Sequence, residues 1–311
     1  MESDALLDRV RADGLLGSGA VVAMLSGGRD SVCMLDLAVR AQGAERVRAL
    51  HVNYGLRDEA GEDEAFCAEL CDSLGVALTL RRPRRPEGPG NLQAWARDVR
   101  YEAAAGVAVP LEARIVTGHT ADDQVETILY RLASSPSRRA LLGMKPRDGI
   151  LACPLLGTTR QEVTEYCRRR GLAWREDASN RAPAFARNRI RAGLLPELAR
   201  AHPAAAANVL RTASLLRDEA EVLDALVAAE LSGADGARRG TIRQRRLREL
   251  QPALRRLVVQ QLADSAAGRP VPGAARFADQ VAALREGGAV LDLGGGVRAV
   301  LERGVVRAER A

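Results

Sequence analysis

Along the first two thirds of the chain, short runs of consecutive apolar residues alternate with longer stretches whose apolar positions recur every three or four residues. Continuous short runs suit strands buried on both faces of a parallel sheet, and the longer periodic stretches suit crossover helices. Strands are therefore expected at 21–25, 47–53, 76–80 and 114–117. Helices are expected at 30–41, stopped by Gly43, at 59–74, ended by Gly75, at 91–107, capped by Asn91, and at 122–133. The proline-rich segment RRPRRPEGPG can continue neither kind of element. Thr159 followed by Glu162 predicts a capping box that opens a helix running to Arg170, with Gly171 beyond it and a last short strand at 172–174.

Beyond Pro203 the pattern changes to alanine- and leucine-rich amphipathic stretches, 204–231 and 241–264, separated by Gly233, Gly236 and Gly240. The tail alternates apolar and polar positions between glycines and reads as one or two hairpin-like strands. The fold class expected is α/β: a doubly wound, mainly parallel sheet over residues 1–200, plus a small, mostly helical domain over 201–311 that ends in short strands.

Composition narrows the partners. With 47% hydrophobic and 28% charged residues the chain has the makings of a packed core rather than extensive disorder. A formal charge of +6 suits a polyanion such as nucleic acid. Arginine supplies nearly all the cation, and Lys145 is the only lysine, which excludes mechanisms needing a lysine elsewhere. The five scattered cysteines read as reduced thiols, with Cys67 and Cys71 four apart as helix packing rather than a metal pair. The first residues have neither the basic start nor the apolar core of a signal peptide, and no run reaches the length of a membrane span, so a cytoplasmic protein is expected. Nothing in the pattern fixes the oligomeric state, and a homodimer stays open.

The strongest chemical signal is Ser26, Gly27, Gly28, Arg29, Asp30, Ser31, between the first strand and its helix. A loop there presents backbone N–H groups, two hydroxyls and the positive end of a helix to an anion, and Asp30 can hold the Mg²⁺ that accompanies a nucleotide. The lysine-dependent phosphate loop and the GxGxxG dinucleotide fingerprint are both missing. His119, Asp123 and Glu126 follow spacings of four and three, so a helix beginning near His119 would carry them on one face with Asp122 turned aside. Two such carboxylates can hold an amine cation and later help it lose a proton. Arg97 and Arg100 lie three apart on the preceding helix, and Arg187, Asn188, Arg189 and Arg191 suit contacts to RNA phosphates.

The segment SGGRDS resembles the PP-loop of N-type ATP pyrophosphatases. Within that class HVNYGLR (51–57), ARDVRY (96–101), TGHTADDQVETILYRL (117–132), CPLL (153–156), WREDASN (174–180) and RNRIRAGLLPEL (187–198) resemble, in order, the tRNA(Ile)-lysidine synthases. The resemblance implies ATP as co-substrate with Mg²⁺ on Asp30, adenylation of a tRNA base oxygen with release of pyrophosphate, and attack by free lysine held by Asp123 and Glu126. It implies a nucleotide site that includes His51 and the loop, a phosphate contact from His119, a role for Arg97 and Arg100 at the activated cytidine, and as RNA partner an isoleucine tRNA with a CAU anticodon. The alternatives are a tRNA base thiolase of the same class, which commonly uses paired cysteines absent here, and a non-catalytic nucleotide- or RNA-binding paralogue. Two departures stand out: Tyr54 where the family usually has histidine, and SSPSRR (134–139) where it has a glycine-rich loop.

Overall fold

The computed structural model describes residues 2–56, 59–84, 92–134, 138–176, 186–233, 240–285 and 289–311. It divides into two compact units, Met1–Ser214 and Leu215–Ala311, a division that falls inside one long helix rather than at residue 200.

The first unit runs α1 (Glu2–Ala12), β1 (Val21–Met24), α2 (Arg29–Gln42), β2 (Val47–Val52), α3 (Ala60–Leu74), β3 (Ala77–Arg81), α4 (Leu92–Ala108), β4 (Arg114–Val116) and α5 (Ala121–Ser134). It continues through α6 (Arg138–Leu141), β5 (Arg147–Asp148), β6 (Leu151–Ala152), α7 (Arg160–Arg169), α8 (Ala186–Arg189), a π-type turn (Ile190–Leu194) and α9 (Leu195–Ala201). The strands form one sheet in the order β3-β2-β1-β4-β6-β5, parallel except at the β5–β6 edge. The strand order reverses at β1, so the crevice outside the carboxyl ends of β1 and β4 is the place where a doubly wound sheet binds ligands.

Both sheet faces are buried, which is why the strands read as continuous apolar runs. On one side Val21, Ala23, Val47 and Ala49 pack with Val32, Leu35 and Leu37 of α2 and Val163 and Tyr166 of α7. On the other, Val22, Leu50 and Ile115 meet Ala104 and Ala108 of α4. The helix α1 adds Leu6, Leu7 and Val10 to the first of these clusters, an element the strand-and-crossover pattern does not reveal.

Segment 172–174 is not a strand. The Leu172 N–H bonds the Cys167 carbonyl at the end of α7, and the Arg175 N–H crosses to the Gly27 carbonyl, so the segment spans the phosphate-loop region instead of extending the sheet. Asn91 and residues 85–90, like 135–137 of the SSPSRR segment, lie outside the described residues.

The second unit holds most of α10 (Ala205–Glu230), then β7 (Ile242–Arg243), α11 (Gln244–Glu249), α12 (Pro252–Ala267), α13 (Ala278–Ala282) and the strands β8 (Val290–Gly294), β9 (Val297–Glu302) and β10 (Val305–Arg310). The expected helix over 241–264 is two helices, because Pro252 cannot continue α11 and instead starts α12. The tail is a full meander whose β10 also pairs with β7, giving a four-stranded antiparallel sheet, β7-β10-β9-β8. Its core joins Ile242, Leu247, Val258, Leu262, Leu293 and Leu301.

Candidate active site

The loop after β1 is held by its own hydroxyls. Ser31 Oγ donates to the Gly28 carbonyl at 2.8 Å, accepts from the Ser26 N–H at 3.1 Å and meets Ser26 Oγ at 3.1 Å. The N–H groups of Ser31 and Val32 also turn to the Gly28 carbonyl, while those of Arg29 and Asp30 stand ahead of them at the positive end of α2. Gly27 takes a φ of +81°, a left-handed backbone that side chains rarely adopt, so the turn favours glycine there.

Gly118, just beyond β4, lies against this loop: a Cβ there would stand 2.5 Å from the Asp30 carbonyl oxygen and 2.9 Å from the Ser31 nitrogen. Two loops from adjacent strand ends thus touch backbone to backbone, and a side chain at 118 would part them. His119 lies before α5, not on it. Its Nδ1 is 2.7 Å from Thr117 Oγ1, and burial drives its pKa down to about 4, with Arg100, Arg97 and Arg187 pushing the same way and Asp123 opposing. His119 is therefore a neutral imidazole at physiological pH, and the three arginines that surround it electrostatically bring α4 and α8 to the same crevice.

Thr120 caps α5. Its N–H and hydroxyl both donate to Asp123 Oδ2 at 2.9 Å, and the Asp123 N–H returns to Thr120 Oγ1 at 3.4 Å. This cap leaves Asp123 Oδ1 for Arg160 Nη2 at 3.1 Å and Arg191 Nη2 at 3.5 Å. One turn on, Glu126 is only 1% exposed and accepts two hydrogen bonds from Arg191, 2.6 Å from Nε and 3.0 Å from Nη2. Arg160 Nη1 lies 3.6 Å from the same carboxylate and its Nε 3.9 Å from Asp30 Oδ2. Burial raises the Asp30 pKa above the ordinary carboxylate value, with Arg29, 3.0 Å away, and Arg160 pulling it back.

The expected residues are thus brought together: Ser26 to Ser31, His119, Asp123 and Glu126 lie around one crevice, with Arg97, Arg100 and Arg187 at electrostatic range of His119. Arg97 stacks on Tyr101 with its guanidinium carbon 4.7 Å from the ring centre, and Arg100 Nε is buried with no hydrogen-bond partner. Arg191 turns inward onto Glu126, while Arg187 is exposed and Asn188 half-buried on α8. His51 is 5% exposed at the end of β2, with Nδ1 2.9 Å from the Leu25 carbonyl oxygen and 3.4 Å from Cys67 Sγ. Arg160 is the member that the spacing did not single out. A cation at the first position of a helix opposes the macrodipole, and that anomaly was the available signal.

The described residues hold no group of three or more His, Cys, Asp or Glu side chains able to cage a metal. Mg²⁺ needs no such cage, since it takes one or two carboxylates and completes its shell with phosphate oxygens and water, and Asp30 beside the loop fits that habit. No helix of the described residues is long and apolar enough to cross a membrane.

A family model described as the PP-loop domain matches residues 5–198. The chain is 38% identical to a tRNA(Ile)-lysidine synthase of Solibacter usitatus, over 82% of this chain and 59% of that one. It is 37% identical to that of Symbiobacterium thermophilum, over 98% of this chain and 69% of the relative, and 41% identical to that of Thermus thermophilus, over 68% and 42%. The chain therefore spans between 42% and 69% of the length of these relatives. Among solved structures, the U34-tRNA thiolase NcsA from Methanococcus maripaludis shares the fold with a TM-score of 0.57 at 18% identity, covering 69% of this chain and 78% of that one.

Proposed function

The chain belongs to the tRNA(Ile)-lysidine synthase family of PP-loop proteins, and from that premise we propose that it ligates free lysine to C2 of the wobble cytidine of a CAU-anticodon isoleucine tRNA at the expense of ATP. The observation that carries the reading is the meeting of two differently charged half-sites in one crevice. A phosphate cradle with Asp30 at its lip stands against a carboxylate pair, half-buried Asp123 and buried Glu126, bridged to it by Arg160.

In the first step the C2 oxygen of the cytidine attacks the α-phosphorus of ATP, the α–β phosphoanhydride bond breaks, and pyrophosphate leaves. The N–H groups and hydroxyls of residues 26–31 hold the phosphates. Asp30 would hold Mg²⁺, which when bound neutralises charge on the departing pyrophosphate. Neutral His119 offers a hydrogen bond rather than a charge, and the orphaned Arg100 Nε is a buried donor matched to an anionic acceptor. In the second step the lysine amine, held as a cation at Asp123 and Glu126, passes a proton to one of these carboxylates and attacks C2. The C2–O bond breaks, and AMP leaves. Glu126 is already paired with Arg191, so the amine shares or takes over one of its oxygens. The cytidine must leave its stack to reach the crevice, and the arginines of α4 and α8 supply cation for the phosphates beside it.

The test is incorporation of radiolabelled lysine into tRNA by purified protein with ATP and Mg²⁺, comparing the native chain with Asp30→Ala and Asp123→Ala. Label confined to the CAU-anticodon isoleucine tRNA, and lost in both variants, is expected. Pyrophosphate release without lysine transfer would overturn the second substrate, and neither product would leave a nucleotide- or RNA-binding paralogue as the reading.

A further inference from the structure

Arg160 touches all three carboxylates of the crevice, yet it stands at the first position of α7, where its charge opposes the helix dipole. Its place is fixed from both sides. The Arg160 N–H donates to Asp122 Oδ2 at 2.7 Å, and the Ala121 N–H donates to the Thr158 carbonyl at 2.9 Å, so the starts of α5 and α7 are tied together twice. The Thr159–Glu162 capping box closes the same turn, and Arg9 braces it through Thr158 Oγ1 and Glu162, each at 2.8 Å. From this anchored backbone the guanidinium, 22% exposed, reaches Asp123 at 3.1 Å, Glu126 at 3.6 Å and Asp30 at 3.9 Å.

A planar guanidinium presents five donors in a rigid fork, so one such group can hold several carboxylates at set separations in a way that a flexible ammonium cannot. Arg191 also meets Glu126 and Asp123, but it comes from the π-type turn after α8 and bridges to neither helix start through its backbone in the described hydrogen bonds. The two arginines therefore differ in kind. Arg160 is built into the junction of α5 and α7, and its loss would leave Asp123 and Glu126 without the group that sets their spacing toward the phosphate loop.

We propose that Arg160 is a positioning residue for the second half-reaction, holding the carboxylates of Asp123 and Glu126 at the spacing that receives an amine cation. The proposal rests on the lysine-ligating reading above. It separates Arg160 from residues acting on ATP: what it sets is the amine site, and adenylation should survive its loss better than amine transfer does.

The experiment measures two half-reactions with full-length protein and tRNA, ATP–pyrophosphate exchange for adenylation and labelled-lysine transfer for ligation. Equilibrium lysine binding is measured by calorimetry without ATP or Mg²⁺. For Arg160→Ala the lysine KM should rise at least about tenfold and lysine binding weaken in parallel, while exchange changes less than about threefold. Arg160→Lys, which keeps the charge without the fork, should recover part of the lysine affinity. Tyr166→Phe removes a core hydrogen bond of the same helix away from the crevice and serves as the stability control; it should lower the melting temperature without moving the lysine KM. An unchanged lysine KM in Arg160→Ala, equal loss of both half-reactions, or a Tyr166→Phe variant with the same KM defect would each overturn the proposal. Native enzyme that exchanges pyrophosphate but accepts no lysine would overturn the functional reading and this proposal together, which distinguishes that failure from the others.

Discussion

Arg191 and Glu126 form a two-pronged ion pair, Nε to Oε1 at 2.6 Å and Nη2 to Oε2 at 3.0 Å, around a carboxylate that is almost wholly buried. Removing one partner of a buried pair costs about 3–5 kcal/mol when the other is left uncompensated. Arg160 remains 3.6 Å from Glu126 when Arg191 is gone, so Arg191→Ala should cost less than that, about 1–3 kcal/mol. A double-mutant cycle with Glu126→Gln, read by urea unfolding, should give a coupling of at least about 1 kcal/mol. A coupling near zero would mean that the pair does not persist in solution.

Gly118 makes the second prediction, because its neighbours are backbone and cannot swing aside. A Cβ would meet the Asp30 carbonyl oxygen at 2.5 Å. Gly118→Ala should therefore push the phosphate loop away from the strand β4 end, destabilise the protein by about 1–3 kcal/mol and reduce pyrophosphate exchange far more than the stability loss explains. Folded Gly118→Ala protein with native exchange rates would show that the two loops are not required to touch.

How much of this was legible beforehand follows from which interactions are local. The first four strands, their helices and the Thr159 capping box come from runs, spacings and caps within a few residues, and each lies within a residue or two of its expected place. What could not be read came from distant partners. Segment 172–174 has strand-like residues but spends its hydrogen bonds on Cys167 and Gly27. His119 would share the helix face of Asp123 and Glu126 only if the helix began at it, and Thr120 starts that helix by bonding Asp123 and leaves the histidine outside. Arg191 has the surroundings of an RNA-contacting arginine in sequence, and only folding reveals the buried Glu126 that takes its head. Arg160 carries no periodic signal at all, since its three partners lie more than thirty residues away along the chain.

His119 gives a pH prediction. Its folded pKa, about 4, is below the ordinary value of 6.5 because burial penalises the imidazolium. Between those values the unfolded chain binds the proton and the folded one does not, so stability rises with pH across this window. The contribution of the site is fully present above pH 6.5 and is lost as pH falls toward 4. Thermal melting from pH 4 to 7.5 should therefore show a steeper acid loss for the native chain than for His119→Asn, and parallel curves would sink this account.

Tyr166 and Asp36 tie α7 to α2 inside the core. Tyr166 Oη donates to Asp36 Oδ2 at 2.5 Å, and Arg170 supplies the counter-charge with Nε and Nη2 each at 3.3 Å, while Asp36 is 1% exposed. Tyr166→Phe removes a hydrogen bond to a buried ion and should cost about 1–3 kcal/mol. Asp36→Ala should cost more, because it leaves the buried Tyr166 hydroxyl without its acceptor and takes the ion-pair partner from Arg170. Equilibrium unfolding that ranks the two variants in the opposite order would mean that the Tyr166 hydroxyl acts through Arg40 Nη1, 3.1 Å away, rather than through Asp36.

The contacts of Tyr54, which lies just beyond β2, say what this side chain does. The hydroxyl donates to the Ala96 carbonyl at 2.8 Å, and the ring meets Trp95 edge to face with centres 5.7 Å apart. Both contacts fall on the first turns of α4, one and two residues before Arg97, so the tyrosine holds the helix that aims Arg97 and Arg100 at the crevice. An aromatic pair in this geometry contributes about 0.5–1.5 kcal/mol beyond its area, and the hydrogen bond about 1 kcal/mol. Tyr54→Phe keeps the ring and loses the tether, so it should lower stability by about 1 kcal/mol and slow adenylation several-fold without changing lysine affinity. Tyr54→Ala loses both and should slow adenylation further, with the same indifference to lysine. The measurement is pyrophosphate exchange set beside the lysine KM for the two variants. A shift in lysine KM would place Tyr54 at the amine site instead, and an unchanged exchange rate in Tyr54→Ala would show that α4 needs no such tether to hold Arg97 and Arg100 in place.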